Sequence, residues 1–399
     1  MANLTALRDH NTAAVLGRIR AAEETSRVEL AAATGLTAQA VSKIVQRLAD
    51  DGLITASGRG PATGGKPRTL LRLVPEARWV VGAQLHRDAA TLVLVDLSGR
   101  IVRSDTLPLA PGATPAHTLD LLAAAVRELL AAVPPAAVLG VGLACPGPLD
   151  HRTGVLHQVT GRPGWDGIAL RDEIAARLAL PPAATVAVDK DTTAGVLSQP
   201  GSPDRAFVYL DDGLGAGIAL DGRVRRGART NAGEFGHQLL DPRGPRCACG
   251  SRGCLEALCR AALEAGDTTR AAELLGEGVA NLVQLLDLDE IVLGGRTVLA
   301  APEQFRGAVT AVLRQRLPDP EWQRVEVSVA RAGEQAVALG AAGLVLGPVF
   351  GDGDTLPVHA PVPGSAPHSG SALHPGVPVP ERGQAFSPVL PGDPVLPRS

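Results

Sequence analysis

The first sustained pattern in the chain is one in which apolar and polar positions separate with a helical period. In SRVELAAATGLTAQAVSKIVQRLADDGLI, residues 26 to 54, Val41, Ile44, Val45 and Leu48 fall at i, i+3, i+4 and i+7. That spacing puts four apolar side chains on one face of a helix. The segment divides into a short helix, a glycine turn and a longer helix, with Thr37 standing where an N-cap is wanted. The opposite face carries Gln39, Ser42, Lys43, Gln46 and Arg47. These side chains can meet phosphates and base edges, so the longer helix is expected to act as a recognition helix in a major groove. Leu53 to Ser57 and Thr69 to Leu73 read as two strands joined by GRGPATGGKPR. Strand, glycine-rich basic tip and strand make a wing, from which Arg59, Lys66 and Arg68 are expected to reach phosphates or a minor groove. The competing reading is a small helical bundle with a solvated charged face and a flexible linker.

From Trp79 the pattern changes. WVVGAQLHRDAATLVLVDLSGRIVRSDTLPL reads as strands in a hairpin series, with turns at His86-Arg87 and Ser98-Gly99. HTLDLLAAAVRELLAAV is an amphipathic helix, and AVLGVGLACPGPLD after it a buried strand. Helix and strand alternation continues through LRDEIAARLAL, ATVAVDKD, RAFVYLDDGLGAGIAL, AAELLGEGVANLVQLLDLDEIVLGGR and QAVALGAAGLVLG. The fold class is therefore α/β, a body built on central sheets behind an N-terminal helical module. Residues 351–399 are rich in Pro, Gly, Ser and Ala without periodicity and are expected to be disordered.

Composition adds three points. The 399 residues are 45% hydrophobic and 20% charged, ordinary for a water-soluble protein of two or three domains. No apolar run reaches a membrane span and the first twenty residues lack a secretory pattern, so a cytoplasmic protein without a membrane partner is expected. The net charge of -3 is uneven: residues 1–80 hold eleven Lys and Arg against seven Asp and Glu, the remainder 27 against 34. A basic N-terminal end suits a phosphate backbone, although this excess alone is a weak signal.

The densest chemistry lies in EFGHQLLDPRGPRCACGSRGCLE, residues 234 to 256. His237, Cys247, Cys249 and Cys254 follow a H-x9-C-x-C-x4-C spacing, and flanking glycines let the thiolates converge. Four soft or borderline ligands with no open position describe a structural Zn2+ site. A disulfide with a core cysteine, or free buried thiols, are the alternatives. Cys145 and Cys259 fall outside the spacing and are read as small buried apolar groups. If the segment is helical, Glu234 and His237 share a face, so His237 can give one ring nitrogen to the metal and the other to a ligand. Glu256, two residues after the last cysteine, is held close by.

Together with GLACPGPLD, GRPGW, VDKDTTAG, LDDGLGAGIALDG, GARTNAGEFGH and GAAGLVLG, this loop resembles the ROK family of repressors, open reading frames and sugar kinases over about residues 10 to 347. The resemblance implies an actin-like, ribonuclease-H-like two-lobed body with a sugar cleft, and homodimers or homotetramers. It also implies boundaries: a winged helix-turn-helix at 1–75, a small lobe at 76–200, a large lobe with the zinc loop at 201–350, and the tail. Asp191 matches the family's base, and Glu234, His237 and Glu256 match its sugar contacts. Kinase members carry a DxGxTK-type loop where this chain reads QLHRDA, with Gln84 at the Asp position, and a GTGxGxG loop where it reads DDGLGAG, with Asp211 and Asp212 leading. Two carboxylates there are expected to repel a triphosphate. Lys190 and Gly161 stand where family members commonly have Asn. The expected protein is thus not an enzyme: no residue is assigned as catalytic, and Asp191 keeps only the position of the base. It is a DNA-binding transcriptional regulator, usually a repressor in this family, of carbohydrate genes. Its partners are operator DNA and a sugar or sugar phosphate. The alternatives are an ATP-dependent sugar kinase and a constitutive DNA-binding regulator with a vestigial cleft.

Overall fold

The computed structural model describes residues 4–59, 68–110, 112–159, 162, 164–319 and 322–351. Lys66 with the rest of the wing tip, Gly161, and the tail from 352 lie outside the described residues.

The N-terminal module is α1 (Leu4–Ala22), β1 (Thr25–Ser26), α2 (Arg27–Thr34), α3 (Ala38–Asp50), β2 (Ile54–Arg59) and β3 (Thr69–Leu73). α1 was not expected from the sequence, yet its Val15, Leu16 and Ile19 are fully buried. α2 starts at a reciprocal capping box between Ser26 and Glu29 and stops at Gly35, whose φ of +69° favours glycine. α3 starts where Thr37 Oγ1 accepts the amide of Ala40 at 3.2 Å, and Val41, Ile44, Val45 and Leu48 all face inward. Order β1-β3-β2 closes a small antiparallel sheet. Its first wing strand runs to Arg59 rather than Ser57, because the ladder resumes past an irregularity between Ala56 and Gly58.

The body comprises β4 (Trp79–Leu85), β5 (Ala89–Asp96), β6 (Ile101–Pro108), α4 (Pro115–Leu130), β7 (Val138–Cys145), β8 (Leu149–Asp150), β9 (Val155–Leu156), α5 (Leu170–Leu178), β10 (Thr185–Lys190) and α6 (Asp191–Leu197). It continues with β11 (Arg205–Leu210), β12 (Leu214–Leu220), β13 (Arg223–Val224), α7 (Leu255–Glu264), α8 (Thr268–Leu286), β14 (Glu290–Gly294), α9 (Arg296–Ala300), α10 (Pro302–Arg316), β15 (Glu326–Val329) and α11 (Ala336–Val349). One sheet has the order β10-β7-β4-β5-β6 and the other β13-β12-β11-β14-β15. In each, three consecutive antiparallel strands are followed by two that join parallel beside the first. The two lobes therefore repeat one topology, which periodicity alone does not reveal.

Each sheet buries one face under its own helices, and the faces turned inward share α6 and α11. α11 packs against Phe207, Tyr209 and Val292 of the second lobe, where the sequence boundary of 350 places it, and also reaches the first. It lies on β4 and β7, because Gly82 and Gly142 leave no side chain in its way: a Cβ there would stand 2.0 Å from Ala338 O and 1.7 Å from Ala341 O. Its far end enters the core of the N-terminal module, where Arg20 of α1 lies 3.8 Å over the Phe350 ring.

Candidate functional site

On α3, Gln39, Ser42, Lys43, Gln46 and Arg47 are all exposed, as are Arg59 and Arg68 at the base of the wing. They are not equally available. Gln46 donates to Asp50 Oδ1 at 2.8 Å and Arg47 to Thr12 Oγ1 of α1, so both are held against their own module. Gln39, Ser42 and Lys43 make no side-chain hydrogen bond or ion pair among the described residues, and they occupy the N-terminal half of the helix.

The cysteine loop closes on itself through Cys247 N to Ser251 O at 2.8 Å and Gly250 N to Cys247 O at 3.0 Å. Gly253 at φ +67° passes so close to Asp241 that a Cβ would stand 1.5 Å from its carbonyl. This brings His237, Cys247, Cys249 and Cys254 together with every ligand atom within 4.8 Å of the others. Cys249 Sγ lies 3.7 Å from Cys254 Sγ, and Cys247 Sγ 3.6 Å from His237 Nδ1. Tetrahedral zinc with bonds of about 2.3 Å to sulfur and about 2.0 Å to nitrogen has edges of roughly 3.8 and 3.5 Å. The cluster is thus a site that could bind a metal. Cys145 and Cys259 are fully buried elsewhere.

Cys254 is also the residue before α7, so the loop delivers Glu256 in the helix's first turn. Glu256 is buried and accepts from Leu214 N at 3.0 Å and from Arg260 at 3.1 Å. Phe235–His237 forms a 3-10 turn rather than an α-helix, which still sets Glu234 and His237 on one side, His237 Nε2 3.9 Å from Glu234 Oε2. These groups, Asp191 and Lys190 line one cavity of about 320 Å3 with Gln84, His86, Arg162, Tyr209 and the β11–β12 turn.

Asp191 is the first residue of α6, and its Oδ1 accepts the amide of Thr192 at 2.7 Å. Burial pushes its carboxyl up to about 6, opposed by the Lys190 charge and that amide. Lys190 does not stand free. Its ammonium donates to Glu234 Oε1 at 2.6 Å and Ala232 O at 3.2 Å, so an anion would have to compete with Glu234 for it.

Around the β11–β12 turn the carboxylates are not bare either. Gly295, at φ +97°, packs so closely that a Cβ would lie 2.1 Å from Leu210 O, and this brings Arg296 beside the end of β11. Arg296 Nη1 contacts both carboxylate oxygens of Asp88 at 3.1 Å, its Nε binds Asp211, and Nη2 lies 3.6 Å from Asp212. His86 Nδ1 lies 3.5 Å from Asp211, and Gln84 donates to Tyr209 at 2.9 Å, which donates to Asp211 at 3.2 Å. Burial would raise the Asp211 carboxyl, yet the hydrogen bonds from His86 and Arg296 hold it below the usual range. The acidic pair is therefore not bare: one guanidinium is shared among Asp88, Asp211 and Asp212, which leaves the group acidic overall, and Arg296 and Asp88 tie the two lobes together across it. Arg296 ends the IVLGGR segment, Asp88 sits in QLHRDA and Arg162 in GRPGW, but no periodicity links them, so sequence reasoning passed over all three.

The model of the ROK family matches residues 80–268 and 259–347, and the model of the MarR family matches residues 8–61. Among curated proteins, a putative xylose repressor of Caldicellulosiruptor sp. (strain Rt8B.4) is 25% identical over 395 residues, covering 87% of this chain and 98% of its own. A ROK family transcriptional regulator, homolog of E. coli MLC protein, has the same fold with a TM-score of 0.70 at 24% identity, over 86% of this chain and 97% of its own. A ROK family glucokinase from Streptomyces griseus, solved with glucose and AMPPNP, matches with a TM-score of 0.57 and 26% identity, over 67% of this chain and 98% of its own. With that model spanning both lobes, and the winged module ahead of them, the chain belongs to the ROK family.

Proposed function

We propose that the protein is a sequence-specific DNA-binding transcriptional regulator of carbohydrate genes, acting as a repressor and responsive to a sugar or sugar derivative bound in the cleft. The observation that carries this reading is the pairing of a winged helix-turn-helix with a cleft whose phosphate-loop region is filled by Arg296, Asp211 and Asp88. A triphosphate would have to displace a lobe-bridging guanidinium and then meet the carboxylates it leaves. Phosphoryl transfer depends on positioning and charge neutralisation, so this arrangement disfavours a kinase. Asp191, Glu234, His237 and Glu256 are the proposed sugar contacts, with Asp191 accepting a hydroxyl rather than acting as a catalytic base.

His237, Cys247, Cys249 and Cys254 would hold Zn2+ as a structural ion, and its contribution would be to fix the loop that carries His237 and leads into Glu256. The cleft and the DNA module are joined by packed helices. α6 begins at Asp191 and crosses α11 where a Cβ on Gly340 would stand 1.7 Å from Ala194 O, and α11 ends at Phe350 beneath Arg20. A ligand that prefers one lobe arrangement would bias the module through this contact, since only differential affinity shifts an equilibrium. Two copies would set their recognition helices about 34 to 36 Å apart on a pseudo-palindromic operator, with Gln39, Ser42 and Lys43 as the free base-reading set. The test is operator binding by the purified protein with and without a panel of sugars, beside an ATP and magnesium assay with the same sugars. Sugar-dependent DNA affinity without turnover supports the reading, and turnover at ordinary kinase rates removes it.

A further inference from the structure

Several charged groups around the cavity pair off, while Arg87, Arg162 and Asp191 take part in no ion pair among the described residues. Lys190 is bound to Glu234, Arg260 to Glu256, and Arg296 to Asp211 and Asp88. Arg162 has no carboxylate within ion-pair distance among the described residues. Its guanidinium donates to the backbone oxygen of His86 and lies 5.1 Å over the Trp165 ring, while Trp165 is itself buried. Both contacts fix the plane of the guanidinium without cancelling its charge. Arg87, a second cation, lines the same wall. Burial pulls the Arg162 guanidinium below its ordinary range and the Arg87 charge adds to this, opposed by Cys145, Asp212 and Asp191. A half-buried cation held in place with no carboxylate in contact, facing a cavity, is placed to receive an anionic group of a ligand.

We propose that Arg162, with Arg87 beside it, is the subsite for an anionic group on the effector, a phosphate or a carboxylate carried by a sugar whose hydroxyls reach Asp191, Glu234 and His237. This rests on the sugar-responsive reading above and narrows its ligand class to acidic sugars. A guanidinium whose plane is already fixed by stacking presents two parallel N–H donors, which suits a bidentate carboxylate or phosphate better than a neutral hydroxyl.

The test is calorimetric titration of the full-length protein with neutral hexoses and pentoses, their terminal phosphates, and the matching uronates, each repeated on Arg162→Gln. Inorganic phosphate serves as the probe for the subsite alone. The wild-type protein should bind an acidic sugar at least about ten-fold more tightly than its neutral parent. Arg162→Gln should abolish that preference while keeping metal content and sugar-free operator affinity. The phosphate and uronate arms show which anion is taken, and preference for either supports the inference. A neutral sugar binding as tightly as its acidic forms, or Arg162→Gln weakening both equally, overturns the inference and leaves sugar response standing. If no sugar of any kind binds, both fall together.

Discussion

Arg296 Nε lies 2.9 and 3.0 Å from the two carboxylate oxygens of Asp211, at the turn between β11 and β12. The same guanidinium reaches Asp88 in the other lobe, so one side chain both offsets part of the turn's charge and spans the cleft. Asp211 is only 9% exposed, and deleting its partner strands a buried charge. Arg296→Met should therefore cost about 2 kcal/mol, and Asp211→Asn in the same chain should recover much of it. Urea unfolding of the two variants checks this; equal losses in single and double variants would mean the pair is not coupled.

Asp191 sets a pH dependence. Its carboxyl titrates near 6 in the fold against 3.8 for the isolated group. Because the folded value is raised, its contribution is complete below the unfolded value and is lost as pH rises through 6. Relative to Asp191→Asn, the wild-type protein should lose about 1 kcal/mol between pH 5 and 7.5. Parallel unfolding curves for the two proteins over that range would show instead that the group is not perturbed.

The recognition face makes a third prediction. Lys43→Ala with Arg47→Ala should weaken operator binding about ten- to hundred-fold and flatten its salt dependence, with fold and metal content unchanged. Since Arg47 is tied to Thr12, Gln39→Ala alone should relax base preference more than Arg47→Ala alone does. Anisotropy titrations on the operator and on mismatched sites separate the two.

How much of this could be read beforehand depends on the kind of signal. The stripe Val41, Ile44, Val45 and Leu48, the Thr37 cap and the cysteine spacing are local, carried by a few neighbouring residues, and the structure places each as the pattern required. Arg296, Asp88 and Arg162 meet only because two lobes of like topology face one another, and no short-range pattern encodes that. The family resemblance draws attention to Asp211 and Asp212, yet the cation that partners Asp211 comes from 85 positions away in sequence. The contact of α11 with the first lobe is hidden for a similar reason: glycines at 82 and 142, far upstream in the chain, make room for it.

The metal cluster is tested by Cys249→Ser. Metal content and melting temperature should fall together, because the ion is proposed to hold the loop that carries His237. A full equivalent of zinc retained by the variant would contradict a four-ligand site.

Phe350 tests the contact between α11 and the DNA module. It is 2% exposed beneath Arg20, so Phe350→Ala should destabilise the protein by about 3 kcal/mol and leave effector binding intact while blunting its effect on DNA affinity. An undiminished effector response would place the coupling elsewhere.

The most direct measurement of the central claim is to incubate the purified protein with fragmented DNA of its source genome, recover and sequence what it holds, and repeat with acidic and neutral sugars added. The account predicts enrichment of one pseudo-palindromic motif beside carbohydrate genes, released by a sugar at unchanged salt. Sequence-independent retention that no sugar alters, together with phosphorylation of a hexose from ATP, would contradict it.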